Sequence, residues 1–342
     1  MIQINRHGVI LKPTSLGFEN EGVLNPAIIQ DGEELHLYYR AVRTGNYSTI
    51  GYCRLDGPIN VINRMELPVL FPQAEYESHG VEDPRVSKID GIYYLTYTAY
   101  DGINASGAYA TTEVLPCFEK KGQLTPLITY EDFRRLAESK GLINEKYLRF
   151  NGQHINQSEQ KYLLWDKNIV FFPRRIQGKL VFLHRIKPDI QIVSVFNLTE
   201  LTPGFWEEYF LHLNEYIVME PKFHHEISYI GSGCPPIETK LGWLMIYHGV
   251  HDTATGYKYV VCASLLDLEN PVVEIARLPK PLFSPEYDYE ITGYVNNVCF
   301  PTGTALFGDE LYIYYGAADK QIAVASLSLS SLLENLMLNK IL

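Results

Sequence analysis

No stretch of the 342 residues approaches the roughly 18 consecutive apolar positions that a membrane-spanning helix requires. The N-terminus, MIQINRHGVILKPTS, has no sustained apolar segment and no small-residue cleavage site, so no secretory leader is expected. Cysteine is scarce and unpatterned. Cys53, Cys117, Cys234, Cys262 and Cys299 are odd in number, widely scattered and form no CxxC pair, which argues against a disulfide framework and a zinc site and for reduced, mostly buried thiols. Basic charge is in deficit: 29 Lys and Arg stand against 40 Asp and Glu, and the net charge of −11 repels phosphate backbones. These absences predict a soluble, cytoplasmic protein with no metal, no cofactor, no nucleic-acid partner and no membrane.

What is present is apolar and aromatic. Hydrophobic residues make up 46% and aromatics 13%, ample for a large core. Length alone suggests two domains, but all-β chains of this size are often one unit, and a single domain over 1–342 is expected. A repeat sets the architecture. Each copy opens on a proline-containing segment, passes a turn glycine five to seven residues later, and enters a strand rich in Tyr, Leu and Ile. The copies are NPAIIQDGEELHLYYR (25–40), DPRVSKIDGIYYLTYT (83–98), FPRRIQGKLVFLHR (172–185), PPIETKLGWLMIYHG (235–249) and FPTGTALFGDELYIYYG (300–316). Each reads as a β-hairpin closed by Gly32, Gly91, Gly178, Gly242 or Gly308. A third strand follows each, at 49–55, 107–113, 190–196, 259–267 and 321–329.

Five such units predict an all-β, five-bladed β-propeller rather than a β-sandwich. Two helical signals interrupt the pattern. Thr129–Asp132 reads as a capping box before FRRLAESK, with Gly141 as its stop, and Ser331–Glu334 similarly starts a C-terminal helix. The wide gap at about 114–165 is therefore read as a helical insertion between blades 2 and 3. Its helix is also the candidate contact for a homo-oligomer, which is left open.

In a propeller the first strand of each blade lines a central channel. The proline-flanking positions give Asn25, Asp83 and the Pro235–Pro236 turn, and the second strands end in Arg40, Thr98, Arg185, His248 and Gly316. A carboxylate, two arginines and a histidine suit a polar substrate bearing hydroxyls and a phosphate. Asp83 lies in GVEDPR. In isolation that segment reads as a surface turn; at the head of an inner strand, partial dehydration is expected to raise its pKa and prepare a general acid. Glu82 is expected on the opposite face, because strand neighbours alternate. Tyr39, Tyr97, Trp243 and Tyr247 read as core between blades more than as sugar platforms. Neighbouring side chains of His224-His225-Glu226 diverge along a strand, so no metal site is read there.

The motifs GVEDPRV, YTAYDG (97–102), PPIETKLGW (235–243), IYHGV (246–250) and YYGAAD (314–319) resemble glycoside hydrolase family 130, the β-mannoside phosphorylases and related β-mannosidases. The resemblance runs from about Asn25 to the C-terminal helix. It implies a five-bladed propeller, a β-mannoside oligosaccharide as substrate and inverting cleavage. Asp83 would be the catalytic acid, acting through a sugar hydroxyl, and Asn25, Arg40, Asp101 and Asp319 would hold the mannosyl ring. Arg40 and Asp319 could equally form a structural ion pair.

Whether phosphate or water attacks divides that family. Phosphate would fall to Lys167, Arg185, Tyr229 and His248. Lys167 stands where arginine is frequent and loses the bidentate fork. Tyr229 stands where many phosphorylases carry lysine, so one cation is missing. Hydrolysis would need a second carboxylate, about 6.5–9.5 Å from the acid, to activate water. Glu226 and Glu238 are the candidates, though either alone reads first as a solvated loop charge. The pattern favours phosphorolysis giving mannose 1-phosphate, with inorganic phosphate as co-substrate. An inverting β-mannosidase is the sibling reading and a non-catalytic glycan-binding propeller the distant one.

Overall fold

The protein is described by a computed structural model covering residues 2–141, 143–149 and 162–341. Its strands form four sheets. The eight-stranded one is two halves joined by a single parallel pair, Ser48 beside Gly80. The chain therefore makes five successive antiparallel meanders. The first comprises Gly22–Asp31, Glu34–Arg43, Tyr47–Asp56 and Asn60–Arg64; the second Gly80–Ile89, Ile92–Tyr100, Ala105–Thr112 and Glu119–Gln123. The third comprises Lys167–Phe171, Leu180–Arg185, Ile190–Val195 and Ile217–Met219. In the fourth, Tyr229–Ser232 and Ile237–Thr239 both pair with Gly242–Thr253, followed by Gly256–Leu266 and Glu274–Arg277. The fifth comprises Cys299–Phe307, Glu310–Ala317 and Gln321–Ser328, and is completed by the N-terminal strand Asn5–Leu11.

Apolar side chains separate into five buried clusters, one at each junction between meanders. Tyr38 and Ile50 meet Val86 and Leu95 between the first and second; Leu37 and Tyr39 meet Tyr314 and Val324 between the first and fifth. Phe172 and Leu183 meet Trp243 and Met245, and Ile246 and Val261 meet Ile313 and Ala325. Ile89 and Leu124 meet Phe171 and Phe182 beneath a helical cover. Tyr39, Tyr97, Trp243 and Tyr247, all buried, belong to these cores rather than to a sugar site.

That cover corrects the expected insertion. Strand Glu119–Gln123 completes the second meander, so residues from 114 on still belong to the sheet before helix Tyr130–Ala137 begins. Residues 142 and 150–161 of the expected insertion lie outside the described residues. Thr129 caps the helix, accepting from the Asp132 amide, but the helix ends at Ala137, short of Gly141. A helix absent from the sequence reading, Pro203–Leu211, packs Phe210 edge-on against Phe133; Thr202 caps it and Pro203 sits in its first turn. The C-terminal helix, Leu329–Met337, is capped by Ser328 rather than starting at Ser331. The third repeat is also displaced: its inner strand lies before Phe172, and Phe172–Gly178 forms the turn.

A second repeat is invisible in the motifs. Glu19, Glu77, Glu226 and Glu290 are each fully buried, and each accepts a hydroxyl proton from a tyrosine on the second strand of its meander: Tyr39, Tyr97, Tyr247 and Tyr315. Each also meets a cation from an outermost strand: Arg64 at 2.8 Å, Lys120, Arg277 at 3.2 Å and Arg6 at 2.6 Å. In the third meander His184 takes the tyrosine's place, between Asp166 and the Tyr209 hydroxyl at 2.8 Å each. The residues immediately after these anchors are Arg40, Thr98, Arg185, His248 and Gly316, the row singled out in the sequence.

Removing one partner of a buried ion pair strands the other, at a cost of about 3–5 kcal/mol, whereas an exposed pair contributes about 1 kcal/mol or less. Glu290→Ala, which strands Arg6 and Tyr315, is expected to lower the denaturant midpoint strongly. Glu238→Ala, which removes the exposed pair with Arg174, should barely move it. Equal, small losses in both variants would show that the buried anchors do not stabilise the sheets.

Candidate active site

The site is built by irregularities in the inner strands. Pairing slips between Leu24 and Ala27, between Glu82 and Arg85, and between Lys167 and Val170. Inside these slips Asn25, Asp83 and Asn168 adopt φ of 52°, 51° and 57°. Asn and Asp are the side chains that best tolerate this left-handed region, and bulges re-aim side chains next to active sites. Pro26 and Pro84, which have no N–H to offer a ladder, follow the first two.

The bulge overturns the expected alternation at Glu82. Arg40 donates to Glu82 Oε1 at 2.8 Å and lies 3.6 Å from Asp83 Oδ1, so both carboxylates face one guanidinium. Lys167 Nζ stands 3.6 Å from Glu82 Oε2, and Asn25 Nδ2 donates to Asp83 Oδ1 at 2.7 Å. Arg40 thus pairs with Glu82 rather than forming a structural ion pair with Asp319, although Asp319 still adds to its field. A cavity of about 260 Å³ opens over this group, lined by Arg40, Glu82, Lys167 and Asp319 with Trp165 and Tyr294.

The two deep aspartates are pushed apart. Burial alone would raise Asp83, but Arg40, Arg85, Lys167 and the Asn25 amide outweigh it and hold the carboxyl below its ordinary value. The expectation of a raised Asp83 is therefore corrected. Asp319 is the group driven up, to about 6, chiefly by burial and then by the negative charges of Asp83 and Glu82, against the pull of Arg40. Arg85 is buried beside Asp83 and gives its protons to three backbone carbonyls, Asp83 at 2.7 Å, Gly233 at 2.8 Å and Ser232 at 3.4 Å; burial lowers it to about 10.

The basic side comes from the third and fourth meanders. Lys167 and Arg185 are register partners on adjacent strands. A Cβ on Gly231 would lie 2.5 Å from His248 Nε2 and 3.0 Å from Arg185 Cδ, so only glycine lets these two side chains close over the strand. His248 is fully buried, and burial, then Arg185, Arg85 and Lys187, hold its imidazole neutral. Among the described residues, both its ring nitrogens, with Arg185 Nε, Asn168 Oδ1 and Ser232 Oγ, lack a hydrogen-bond partner. Buried polar atoms left this way are costly unless a ligand engages them.

Tyr229 shares its hydroxyl with Tyr259, and the cation absent at that position is supplied from elsewhere. Lys187 Nζ lies over the Tyr229 ring, 3.9 Å from its centroid. Burial, with Arg185 and Lys167 nearby, pushes its ammonium well below the usual lysine range. Sequence reasoning missed Lys187; the signal available was its place two residues after Arg185 in HRIKP.

Three expected site residues stand apart. Asp101 spends its carboxylate on its own loop, accepting from the Ile103 and Asn104 amides at 2.8 and 2.6 Å and from the Asn104 side chain at 3.1 Å. Glu226 is the anchor of the fourth meander, held by Tyr247, Arg277 and two backbone amides. Glu238 pairs with Arg174 at 2.9 Å near the surface. Donor atoms of His225, Glu226 and Cys262 lie within 4.8 Å of one another, but the Glu226 carboxylate is already engaged and Arg277 opposes a cation there.

A family model described as beta-1,4-mannooligosaccharide phosphorylase matches residues 12–338. The 1,2-beta-oligomannan phosphorylase of Thermoanaerobacter sp. (strain X514) is 34% identical over 335 residues, 95% of this chain and 96% of its own. The Beta-1,2-mannobiose phosphorylase of the same organism is 35% identical over 323 residues, 90% of each chain. Among solved structures, the Beta-1,2-Mannobiose phosphorylase from Listeria innocua in complex with beta-1,2-mannobiose superposes with a TM-score of 0.74 over 99% of this chain and 100% of that one, at 23% identity, a likeness of fold.

The raised pKa of Asp319 has a stability consequence. Between its ordinary 3.8 and about 6 the folded chain keeps a proton that the unfolded chain has lost, so this group's contribution to stability declines as pH rises through that window. Asp319→Asn is expected to raise the melting temperature at about pH 7.5, with the gain shrinking toward about pH 4. A gain independent of pH would place Asp319 outside this electrostatic cluster.

Proposed function

Because the chain belongs to glycoside hydrolase family 130 and is a carbohydrate-active enzyme, we propose that it is an inverting β-mannoside phosphorylase, a single five-bladed propeller whose five meanders are the blades. The observation that carries phosphorolysis over hydrolysis is the basic cluster: Lys167, Arg185 and Lys187 around a neutral, buried His248 whose ring nitrogens find no partner among the described residues. The two carboxylates that the sequence offered as activators of water, Glu226 and Glu238, are committed to ion pairs. Unpaired thiols at all five cysteines suit the reducing cytoplasm, where phosphate is at hand. The linkage is proposed as β-1,2, which the names of the two relatives matched over nearly their whole length support.

Asn25, Arg40 and Asp319 hold the mannosyl ring, and Asp101 helps by fixing the loop after Tyr100. Phosphate oxygen attacks the anomeric carbon as the glycosidic C–O bond breaks. A mannosyl hydroxyl passes its proton to the departing oxygen and takes the Asp83 proton, while the proton carried by hydrogen phosphate restores the acid. Loading and acidity are coupled. Lys167 belongs both to the anion cluster and to the field that holds Asp83 low, so the arrival of a phosphate dianion raises Asp83 toward its protonated form. The same anion favours the charged form of Lys187.

β-1,2-Mannobiose incubated with the enzyme should yield mannose 1-phosphate only when phosphate is present. Free mannose released at equal rate without phosphate would reinstate the β-mannosidase. Asp83→Asn should abolish cleavage while mannobiose still binds in calorimetry, and normal turnover by this variant would remove Asp83 from the acid role. Lys187→Ala should raise the KM for phosphate about tenfold or more, since a hydrogen bond to a charged group contributes about 1.5–3 kcal/mol, with little change in the KM for mannobiose. An unchanged phosphate KM would leave Lys187 outside the anion site.

A further inference from the structure

Tyr294 is 72% exposed although it lines the cavity that holds Arg40, Glu82 and Asp319. Its own packing does not fix it; its backbone does. A Cβ on the preceding Gly293 would overlap the Ala318 carbonyl oxygen, and the amide of the following Val295 donates to that same oxygen at 3.3 Å. The Ala318 amide in turn donates to Val298 O at 3.0 Å, and Gly293 N donates to the Asn296 side chain at 3.1 Å. The loop is thereby clamped to the turn whose next residue is Asp319. Its other end is tied down through Glu290, held by Arg6 and Tyr315.

Trp165 lines the same cavity, its indole N–H bound to Ile103 O at 3.0 Å and its ring edge-on to Tyr100. The cavity wall thus carries three aromatic rings, Tyr100 and Trp165 half-buried and Tyr294 presented to solvent. The electron-rich face of an aromatic attracts the C–H edges of a pyranose, and a ring fixed in place before binding loses little entropy when it does so. Asn25 is 4% exposed and the Asp83 side chain 11%, against 72% for Tyr294, so a sugar over Tyr294 is the one beyond the scissile bond.

We propose that Tyr294 is the platform for the acceptor sugar: the hexopyranose on the leaving side of the cleaved bond stacks on its ring, and Tyr294 sets affinity for that sugar and not for phosphate. The assignment rests on the phosphorylase reading.

The test is Tyr294→Ala assayed in both directions. The KM for mannose as acceptor and for mannobiose should each rise on the order of tenfold, as expected for loss of an aromatic contact, while those for mannose 1-phosphate and phosphate stay within about twofold. Tyr294→Phe and Tyr294→Trp should remain near wild type, and the exposed position should leave the melting temperature unchanged. Unchanged acceptor and mannobiose KM values, or a parallel rise in all four, would overturn the platform. Should the wild type cleave mannobiose without phosphate, the phosphorylase reading fails, yet the mannobiose KM of the variant still tests the platform: a rise supports it and no change removes it.

Discussion

A carboxylate taken out of water is tolerated only where its charge and lone pairs are answered, and this fold repeats one answer around the molecule. Glu19, Glu77, Glu226 and Glu290 each take a tyrosine hydroxyl from a second strand and a cation from an outermost strand, tying the approach to an inner strand, the middle of the sheet and its rim into one contact. The residue after each tyrosine inherits that fixed position. Arg40, His248 and, through the His184–Asp166 variant, Arg185 all stand there. The anchor is therefore both a stabilising device and the jig that aims the site. It also explains why Glu226, plausible as a base in the sequence, has no freedom to act as one.

Net charge and local field point in opposite directions. The chain carries −11, yet Arg40, Arg85, Lys167, Arg185 and Lys187 gather at one place. Burial strengthens every charge–charge interaction there, because little water is left to screen it. Arg40, Arg85 and Lys167 hold Asp83 down, while Asp319 goes up to about 6, chiefly through burial and then through the negative charges of Asp83 and Glu82. Two carboxyls a short way apart thereby acquire different roles.

The strands were legible because their signal is local: a turn glycine and alternating apolar residues sit within one hairpin. Asn25 and Asp83 were legible for a related reason, since Asn-Pro and Asp-Pro mark the bulges. The same bulge hid Glu82, for alternation holds only where the ladder is unbroken, and Glu82 is the last residue before the slip. The buried anchors were not legible because 20 to 25 residues separate each glutamate from its tyrosine. Helix Pro203–Leu211 carried a readable cap in Thr202-Pro203, but its aromatic residues, apolar nearly all round, masked the helical period.

Tyr229 and Lys187 show why an aligned position is a poor proxy for a field. Reading position 229 alone, one cation is missing. In the folded chain an ammonium lies over that very ring, brought there from the segment after Arg185. An anion responds to where charge is, and a long flexible side chain can deliver it from either of two adjacent strands. Aligned positions therefore understate how positive a site is whenever a neighbouring strand can reach the same point. Position 229 alone thus understates the basic charge around His248, because Lys187 reaches that point from the neighbouring segment.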